Sequence, residues 1–227
     1  RRLGVELCWV EPLAAPEAGG PTLGLSGVVQ RSNGAVAVAM AQALSERAWP
    51  RPEVPLGEAA ILAGLAAARW PGRLETRHFQ GVRLLLDGAH NPPAAVVLRR
   101  ELDRLGTGAR LWMIGIQRHK DGAAVLRALL GPEDRALIVP IPDHRAWSLD
   151  ALAAACPDLA GQLASLPDLE AGLQQLITSG ASDTRLGREV PVVAGSLYLL
   201  GAVIPLLDPL QTPPALRPAP QVRGVGS

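Results

Sequence analysis

The sequence has few of the residues from which metal sites and disulfide frameworks are built. Its two cysteines, Cys8 and Cys156, lie far apart and belong to no CxxC pair, so we expect neither a disulfide framework nor a zinc site. The four histidines show no HxxxH or HExxH spacing. We therefore expect no metal ion to be held by this chain.

An excess of one charge and long apolar runs are also missing. The 22 basic and 21 acidic residues leave a formal net charge of +1, which gives no reason to expect a nucleic-acid or membrane partner. No stretch approaches the roughly 20 apolar residues that span a bilayer, and the start at Arg1 is not a signal peptide. We expect a cytoplasmic protein that begins partway through a domain, with a core drawn from its 48% hydrophobic residues.

The signatures of self-sufficient nucleotide or acyl chemistry are absent from the sequence as well. There is no GxxxxGK[ST] loop and no GxGxxG after an apolar run, so the sequence contains no phosphate-binding fingerprint of its own. Neither Ser26 nor Ser196 lies in a GxSxG turn. A stand-alone hydrolase is therefore not expected.

The first 69 residues read as helical. Small and apolar residues recur with helical spacing over 33–48, and residues 56–68 predict a second helix after a proline-rich break. Trp-Pro-Gly at residues 70–72 then interrupts regular structure and is our candidate hinge.

From residue 73 onward, short apolar runs alternate with amphipathic segments. This alternation predicts an α/β fold with a mostly parallel sheet covered by helices on both faces. The predicted strands are 82–86, 110–116, 136–141 and 190–194, and the predicted helices are 94–105, 122–130, 149–155, 169–178 and 197–207. The proline-rich tail, 209–227, is expected to be disordered.

In an open parallel sheet, ligands bind beyond the carboxyl ends of the strands. The first such loop is Asp-Gly-Ala-His-Asn-Pro at residues 87–92, which places a carboxylate, an imidazole and an amide after one strand. The competing interpretation is a strand-to-helix turn in which Asp87 or Asn91 accepts hydrogen bonds from free backbone N–H groups. Spacing alone leaves both open.

Two further loops follow predicted strands. Residues 117–121 carry Arg118, His119 and Lys120, which could meet an anion, although a solvated turn with Asp121 as a helix cap explains the same residues. At Ser196 a strand gives way to a helix, whose free N–H groups and the serine hydroxyl could hold a carboxylate or phosphate. A simple N-cap serine is compatible with that reading.

Taken together, these segments resemble the folylpolyglutamate synthase/dihydrofolate synthase family, relatives of the Mur peptide ligases. The resemblance covers roughly residues 22–207, and DGAHNP between WPGRLE and GSLYL is its specific combination. The matching segments, in order, are Gln30 and Asn33 before an alanine-rich helix, Trp70-Pro-Gly-Arg73-Leu-Glu75, Asp87-Gly-Ala-His-Asn-Pro92, Lys120-Asp121 and Gly195-Ser-Leu-Tyr-Leu199.

The resemblance implies a division of the chain. Residues 1–69 would be the end of a P-loop ATPase domain with its hinge, and 70–208 a Rossmann-like ligase domain. Such ligases use ATP and Mg²⁺ to phosphorylate a folate or dihydropteroate carboxylate, which the amine of L-glutamate then attacks. The implied partners are these small molecules, and the implied state is a monomer.

The resemblance also assigns residues to roles. Asn33 would contact adenine, while Arg73 and Asp87 would contact the rest of the nucleotide. His90 and Ser196 would be catalytic and face the incoming glutamate or the acyl phosphate. Asn91 and Lys120 would assist in binding the glutamate anion, alongside His90 and Ser196.

The sequence departs from the family pattern in two ways. Val29 stands where a histidine usually precedes Gln30, and the P-loop, the magnesium ligands and the modified lysine of the first domain are absent. We therefore expect that this chain alone does not catalyse ligation. The alternatives are another Mur-type ligase, acting on a muramyl peptide or resembling cyanophycin synthetase, and a non-catalytic ligand-binding module.

Overall fold

The computed structural model describes residues 7–46, 57–183 and 189–207. The predicted disordered tail, 209–227, lies outside these residues. Among the described residues, two α-helices precede the sheet, α1 (Val29–Glu46) and α2 (Glu58–Ala67), so both predicted helices are confirmed. α1 begins four residues earlier than predicted. Upstream of it, the Arg31 guanidinium ties the extended segment to the helix by donating to the carbonyl oxygens of Ala14 and Pro21 at 3.0 and 2.5 Å.

The described residues form a six-stranded sheet in the order β1-β2-β6-β3-β4-β5. β1 and β2 form an antiparallel hairpin, and the other neighbouring strands run parallel. The mostly parallel α/β fold is thus confirmed. The strands are β1 (Glu75–Phe79), β2 (Val82–Asp87), β3 (Leu111–Ile114), β4 (Arg135–Ile138), β5 (Leu163–Ser165) and β6 (Val192–Ala194).

Helices cover both faces of the sheet, as predicted. Successive side chains of a strand point to opposite faces, so Leu85 joins one core while Leu84 and Leu86 join the other. One face packs against α3, α4 and α5, and the other against α6 and α7. These helices are α3 (Pro92–Leu105), α4 (Gly122–Leu129), α5 (Leu149–Ala155), α6 (Leu169–Asp183) and α7 (Leu197–Leu207).

Two strands were not predicted. β1 is a polar strand, Glu-Thr-Arg-His-Phe, whose hairpin turn uses Gln80 and Gly81 with φ of 48° and 82°. β5 has three residues and pairs only with β4. The predicted strands 110–116, 136–141 and 190–194 are shorter in the structure, because pairing ends at Ile114, Ile138 and Ala194. α6 extends beyond its predicted end at residue 178.

A buried carboxylate joins the amino ends of the central strands. Asp134 Oδ2 accepts hydrogen bonds from Arg99 Nη1 at 2.6 Å, Gly131 N at 2.9 Å and Trp112 Nε1 at 3.1 Å. Its Oδ1 accepts one from Arg110 N at 2.8 Å. This network lies before β3 and β4, at the opposite end of the sheet from the loops described next.

Candidate functional site

Asp87 ends β2 and faces a segment far from it in sequence. Its Oδ2 accepts a hydrogen bond from Leu74 N at 2.9 Å, and its Oδ1 accepts one from Ala89 N at 2.8 Å. Burial raises the pKa of Asp87 above its usual 3.8, while these two N–H donors and the nearby Arg73 guanidinium oppose that rise. Through its two hydrogen bonds the carboxylate connects the loop that contains Leu74 to the loop that contains Ala89. Its oxygens have further lone pairs that can accept from another donor.

The turn at residues 70–75 holds Arg73 beside this carboxylate. Gly72 N donates to Glu75 Oε2 at 2.7 Å, and Gly88 N donates to the Gly72 carbonyl at 2.8 Å. Gly72 has φ of 71°, a left-handed conformation that favours glycine. Leu74 has a φ of 45°, which is uncommon for a residue other than glycine. The hydrogen bond that its N–H donates to Asp87 helps to hold this conformation. Arg73 lies between these two fixed positions.

Asn33, Arg73 and Asp87 line one cavity of about 540 Å³. These are the three residues to which the family resemblance assigns a nucleotide contact. Asn33 lies in α1, where its Nδ2 donates to Gln30 Oε1 at 2.9 Å, and Gln30 lines the same cavity. The rest of the wall is largely apolar, with Leu25, Val29, Trp70, Leu74, Pro93, Val97 and Leu98 among its side chains. A mainly apolar cavity with a few convergent polar groups is typical of a small-molecule site.

His90 and Asn91 follow Asp87 in the same loop. His90 Nδ1 lies 2.8 Å from the Gly88 carbonyl oxygen. Because a carbonyl can only accept, Nδ1 is the donor, and in a neutral imidazole with this hydrogen bond Nε2 is the acceptor. Asn91 Oδ1 accepts from Ala94 N at 3.0 Å and caps α3, with Pro92 as the first helical residue. The capping interpretation therefore describes Asn91 in this structure.

Ser196 lies at the same end of the sheet as Asp87, because Asp87 pairs with Ala194 in the neighbouring strand. Its side chain is buried, with 1% of the residue exposed, and its Oγ accepts from Tyr198 N at 3.1 Å. It therefore caps the start of α7 in this conformation. Its predicted contact with glutamate or the acyl phosphate stays a prediction.

The loop after β3 also contains a helix cap. Asp121 Oδ1 accepts from Ala124 N at 3.0 Å at the start of α4, as the alternative interpretation of that loop proposed. Lys120 is half-buried, and its backbone carbonyl accepts from Trp147 Nε1 at 3.0 Å. Its predicted role as an anion contact stays a prediction.

One wall of the cavity was missed from the sequence. Residues 25–27 and the exposed edge of α3, with Pro93 and Val97, meet across the cavity although they are distant in the chain. Trp70, 62% exposed, was noted in the hinge and in the segment WPGRLE, but it was not assigned to the site. Its position next to the candidate site could have been inferred from Arg73, three residues away.

The described residues offer neither a metal site nor a membrane span. They contain no group of three or more His, Cys, Asp or Glu side chains placed to hold a metal ion. None of their helices combines the length and apolar character needed to cross a bilayer.

The sequence matches a known protein family. Residues 73–206, more than half of the chain, match the family model for the dihydrofolate synthetase C-terminal domain. A probable bifunctional folylpolyglutamate synthase/dihydropteroate synthase from Halobacterium salinarum is 32% identical over 175 residues, covering 77% of this chain and 20% of that protein.

Solved structures are similar over most of the chain. Mycobacterium tuberculosis folylpolyglutamate synthase, complexed with ADP, superposes with a TM-score of 0.67 at 26% identity, covering 82% of this chain and 41% of that one. A bifunctional folylpolyglutamate synthase/dihydrofolate synthase with Mn, AMPPNP and L-glutamate bound gives 0.60 at 28% identity, covering 82% and 40%. This chain thus spans less than half the length of these relatives. It belongs to the family of dihydrofolate synthetase C-terminal domains.

Proposed function

We propose that this chain is the carboxyl-terminal part of a ligase that uses ATP to join L-glutamate to folate or dihydropteroate. Family membership supports the class of reaction, and two related structures contain ADP, or AMPPNP with L-glutamate, as ligands. In the proposed reaction the γ-phosphate of ATP moves to the acceptor carboxylate. The glutamate amine then attacks the acyl phosphate, forming an amide and releasing phosphate.

The cavity that brings together Asn33, Arg73 and Asp87 is the observation on which the proposal depends. Its apolar wall suits the base of a nucleotide, and the Asn33 amide can pair with ring nitrogens or an exocyclic amine. Arg73 makes no hydrogen bond or ion pair within the described residues, so its fork of N–H donors is available to phosphate oxygens. Asp87 can accept from ribose hydroxyls.

His90 is the proposed group next to the reaction centre. In the neutral imidazole, with Nδ1 donating to Gly88 O, Nε2 is an acceptor and suits the ammonium or amine of an incoming amino acid. In this proposal Ser196 offers the hydroxyl that caps α7 at the neighbouring strand end. Both residues lie at the end of the sheet that carries Asp87.

In the proposed parent enzyme, residues outside this chain would hold magnesium and the phosphate cradle. Mg²⁺ would neutralise charge on the transferring phosphoryl group. The sequence has no GxxxxGK[ST] loop, and the described residues contain no acidic cluster fit for a metal. We therefore expect that the chain alone releases no ADP when it is given ATP, glutamate and a folate. Glutamate-dependent ADP release by the purified chain would overturn that point.

Nucleotide binding is tested by calorimetry with ADP and a matched pair of arginine variants. Arg73→Ala should weaken binding about 10- to 100-fold, because a lost hydrogen bond to a charged group costs roughly 1.5–3 kcal/mol. Arg83→Ala is the control, since Arg83 is an exposed arginine of β2 that does not line the cavity. Equal ADP affinity in the two variants would remove the support for this site.

A further inference from the structure

One acidic side chain in the wall of the candidate site takes no part in the proposed function. Glu101 lies near the end of α3 and lines the cavity of about 540 Å³ that contains Asn33, Arg73 and Asp87, which we call the nucleotide cavity. Glu101 also lines a neighbouring cavity of about 820 Å³, so it stands at the boundary between the two. Neither the sequence pattern nor the family resemblance singled it out.

The Glu101 carboxylate is held in place, but only one of its two oxygens is used. The side chain is 11% exposed, and its Oε1 accepts a hydrogen bond from Arg104 Nη1 at 2.6 Å. Oε2 accepts no hydrogen bond within the described residues. It lies next to Gly27, where an added Cβ would be 3.7 Å away, and the φ of 104° at that position favours glycine. A largely buried carboxylate oxygen is thus open to a donor from a ligand.

Glu101 and Asp87 lie at different ends of the nucleotide cavity. α3 begins shortly after Asp87, and its residues Pro93, Val97 and Glu101 line the cavity one turn apart. At 1.5 Å per residue, Glu101 lies about 12 Å along the helix from Pro93. Its carboxylate is somewhat closer to Asp87 than that, because helical side chains lean toward the amino end of their helix. The two carboxylates are therefore separated by roughly the length of a nucleoside.

The charges in this cavity set the direction of a bound nucleotide. Among the described residues, Arg73 is the one basic side chain that lines the cavity, and it lies at the Asp87 end. Glu101 brings a negative charge to the other end, where it repels phosphate. The phosphates of a nucleotide therefore lie toward Arg73, and the base lies toward Glu101.

We propose that Glu101 selects adenine by accepting a hydrogen bond from its 6-amino group at Oε2. This inference rests on the proposed function and adds a specificity-determining residue to it. A carboxylate can only accept, so it pairs with an amine and opposes the carbonyl oxygen of a 6-oxo purine. A site that hydrogen-bonds one group of its ligand rejects the analogue without that group, because the buried partner is then left unpaired. The Asn33 amide keeps a second N–H, besides the one given to Gln30, for a ring nitrogen.

The pairing of Glu101 with Arg104 favours adenine over guanine. Guanine presents two adjacent donors, N1–H and the 2-amino group, which suit a carboxylate with both oxygens available. Oε1 of Glu101 already accepts from Arg104, so one oxygen remains. The amino group of adenine needs only one.

Calorimetry with ADP, IDP and GDP tests this assignment on the whole chain. The base of IDP has a carbonyl oxygen where that of ADP has the 6-amino group. Wild type should bind ADP at least about tenfold more tightly than IDP, because a hydrogen bond to a charged group contributes that factor or more. GDP should also bind more weakly than ADP. IDP or GDP that binds as tightly as ADP would overturn the assignment.

Glu101→Gln reverses the hydrogen-bonding sense of one atom. The amide oxygen can keep the pair with Arg104, while the NH₂ group takes the place of Oε2 and becomes a donor. ADP should bind this variant about tenfold more weakly than wild type, and IDP should bind it more tightly. The ratio of the two affinities should therefore fall by at least about tenfold. Glu170→Gln is the control, because Glu170 is exposed on α6 and does not line the cavity.

The ratio of ADP to IDP affinity separates base selection from a loss of folding. A variant that only loosened the cavity would weaken both diphosphates alike. If Glu101→Gln gives the same ratio as Glu170→Gln, the inference is wrong, while ADP binding by the wild type still supports the proposed function. A wild type that binds none of the three diphosphates would overturn the proposed function, and this inference with it.

Discussion

Replacing Asp134 by asparagine should destabilise the protein severely, because this side chain accepts four hydrogen bonds in the core. The best orientation of the new amide keeps its oxygen toward the donors of Arg99, Trp112 and Gly131. Its NH₂ group then faces the backbone N–H of Arg110, so two donors face each other and that hydrogen bond is lost. Breaking a buried ion pair by removing one partner costs roughly 3–5 kcal/mol. We expect about 3 kcal/mol, at the low end of that range, because Arg99 retains a pair with Asp103 at 2.8 Å.

That loss is large against a total stability of roughly 5–15 kcal/mol. Urea unfolding followed by circular dichroism and tryptophan fluorescence should show the midpoint lowered by about 1 M or more, with an unchanged slope. Asp158→Asn is the matched control, because Asp158 pairs with Arg127 at the surface, where both side chains are about half exposed. A midpoint for Asp134→Asn that moves no further than that of Asp158→Asn would refute the reasoning.

Three further predictions concern the candidate site and its supports. Burial raises the pKa of Asp87 above 3.8, so folding favours the protonated carboxyl. The stability that this group contributes is therefore fully present below pH 3.8 and is lost as pH rises through the pKa of the folded state. As pH rises through this range, the urea midpoint of the wild type should therefore fall relative to that of Asp87→Asn. Midpoints of the two proteins that change in parallel with pH would contradict this. Gly195→Ala should cost about 1–3 kcal/mol by thermal unfolding, since Gly195 has φ of 109° and a Cβ would lie 2.7 Å from the Gly115 carbonyl oxygen; an unchanged melting temperature would speak against that strain. Glu75→Ala should weaken ADP binding by about 1 kcal/mol, or about fivefold, because the turn that carries Arg73 loses its anchor; unaltered affinity would show that the anchor is dispensable.

The parallel strands and the loops after them could be predicted from the sequence, because each buried strand is a short continuous run of apolar residues. Leu84, Leu85 and Leu86 pack into the cores on both faces of the sheet, as expected for a buried parallel strand. The change from this apolar run to Asp87 indicates where the strand ends. Asp87 and Ser196 were expected to meet because parallel strands finish at one edge, and the pairing of Asp87 with Ala194 places them there.

The features that were missed depend on contacts between distant parts of the chain. β1 carries polar residues, and its Gln80-Gly81 turn lacks the usual Asn-Gly sequence, so neither its pattern nor its turn predicted a hairpin. The wall of residues 25–27 exists only where that segment meets α3.

The central claim is that a nucleotide occupies the cavity beside Asp87, and a crystal structure of the chain grown with ADP tests it most directly. We expect density for ADP between α1 and the end of β2, with phosphate oxygens within hydrogen-bonding distance of Arg73 and a ribose hydroxyl donating to Asp87. ADP bound elsewhere, with Asn33, Arg73 and Asp87 all free of contact, would contradict the account.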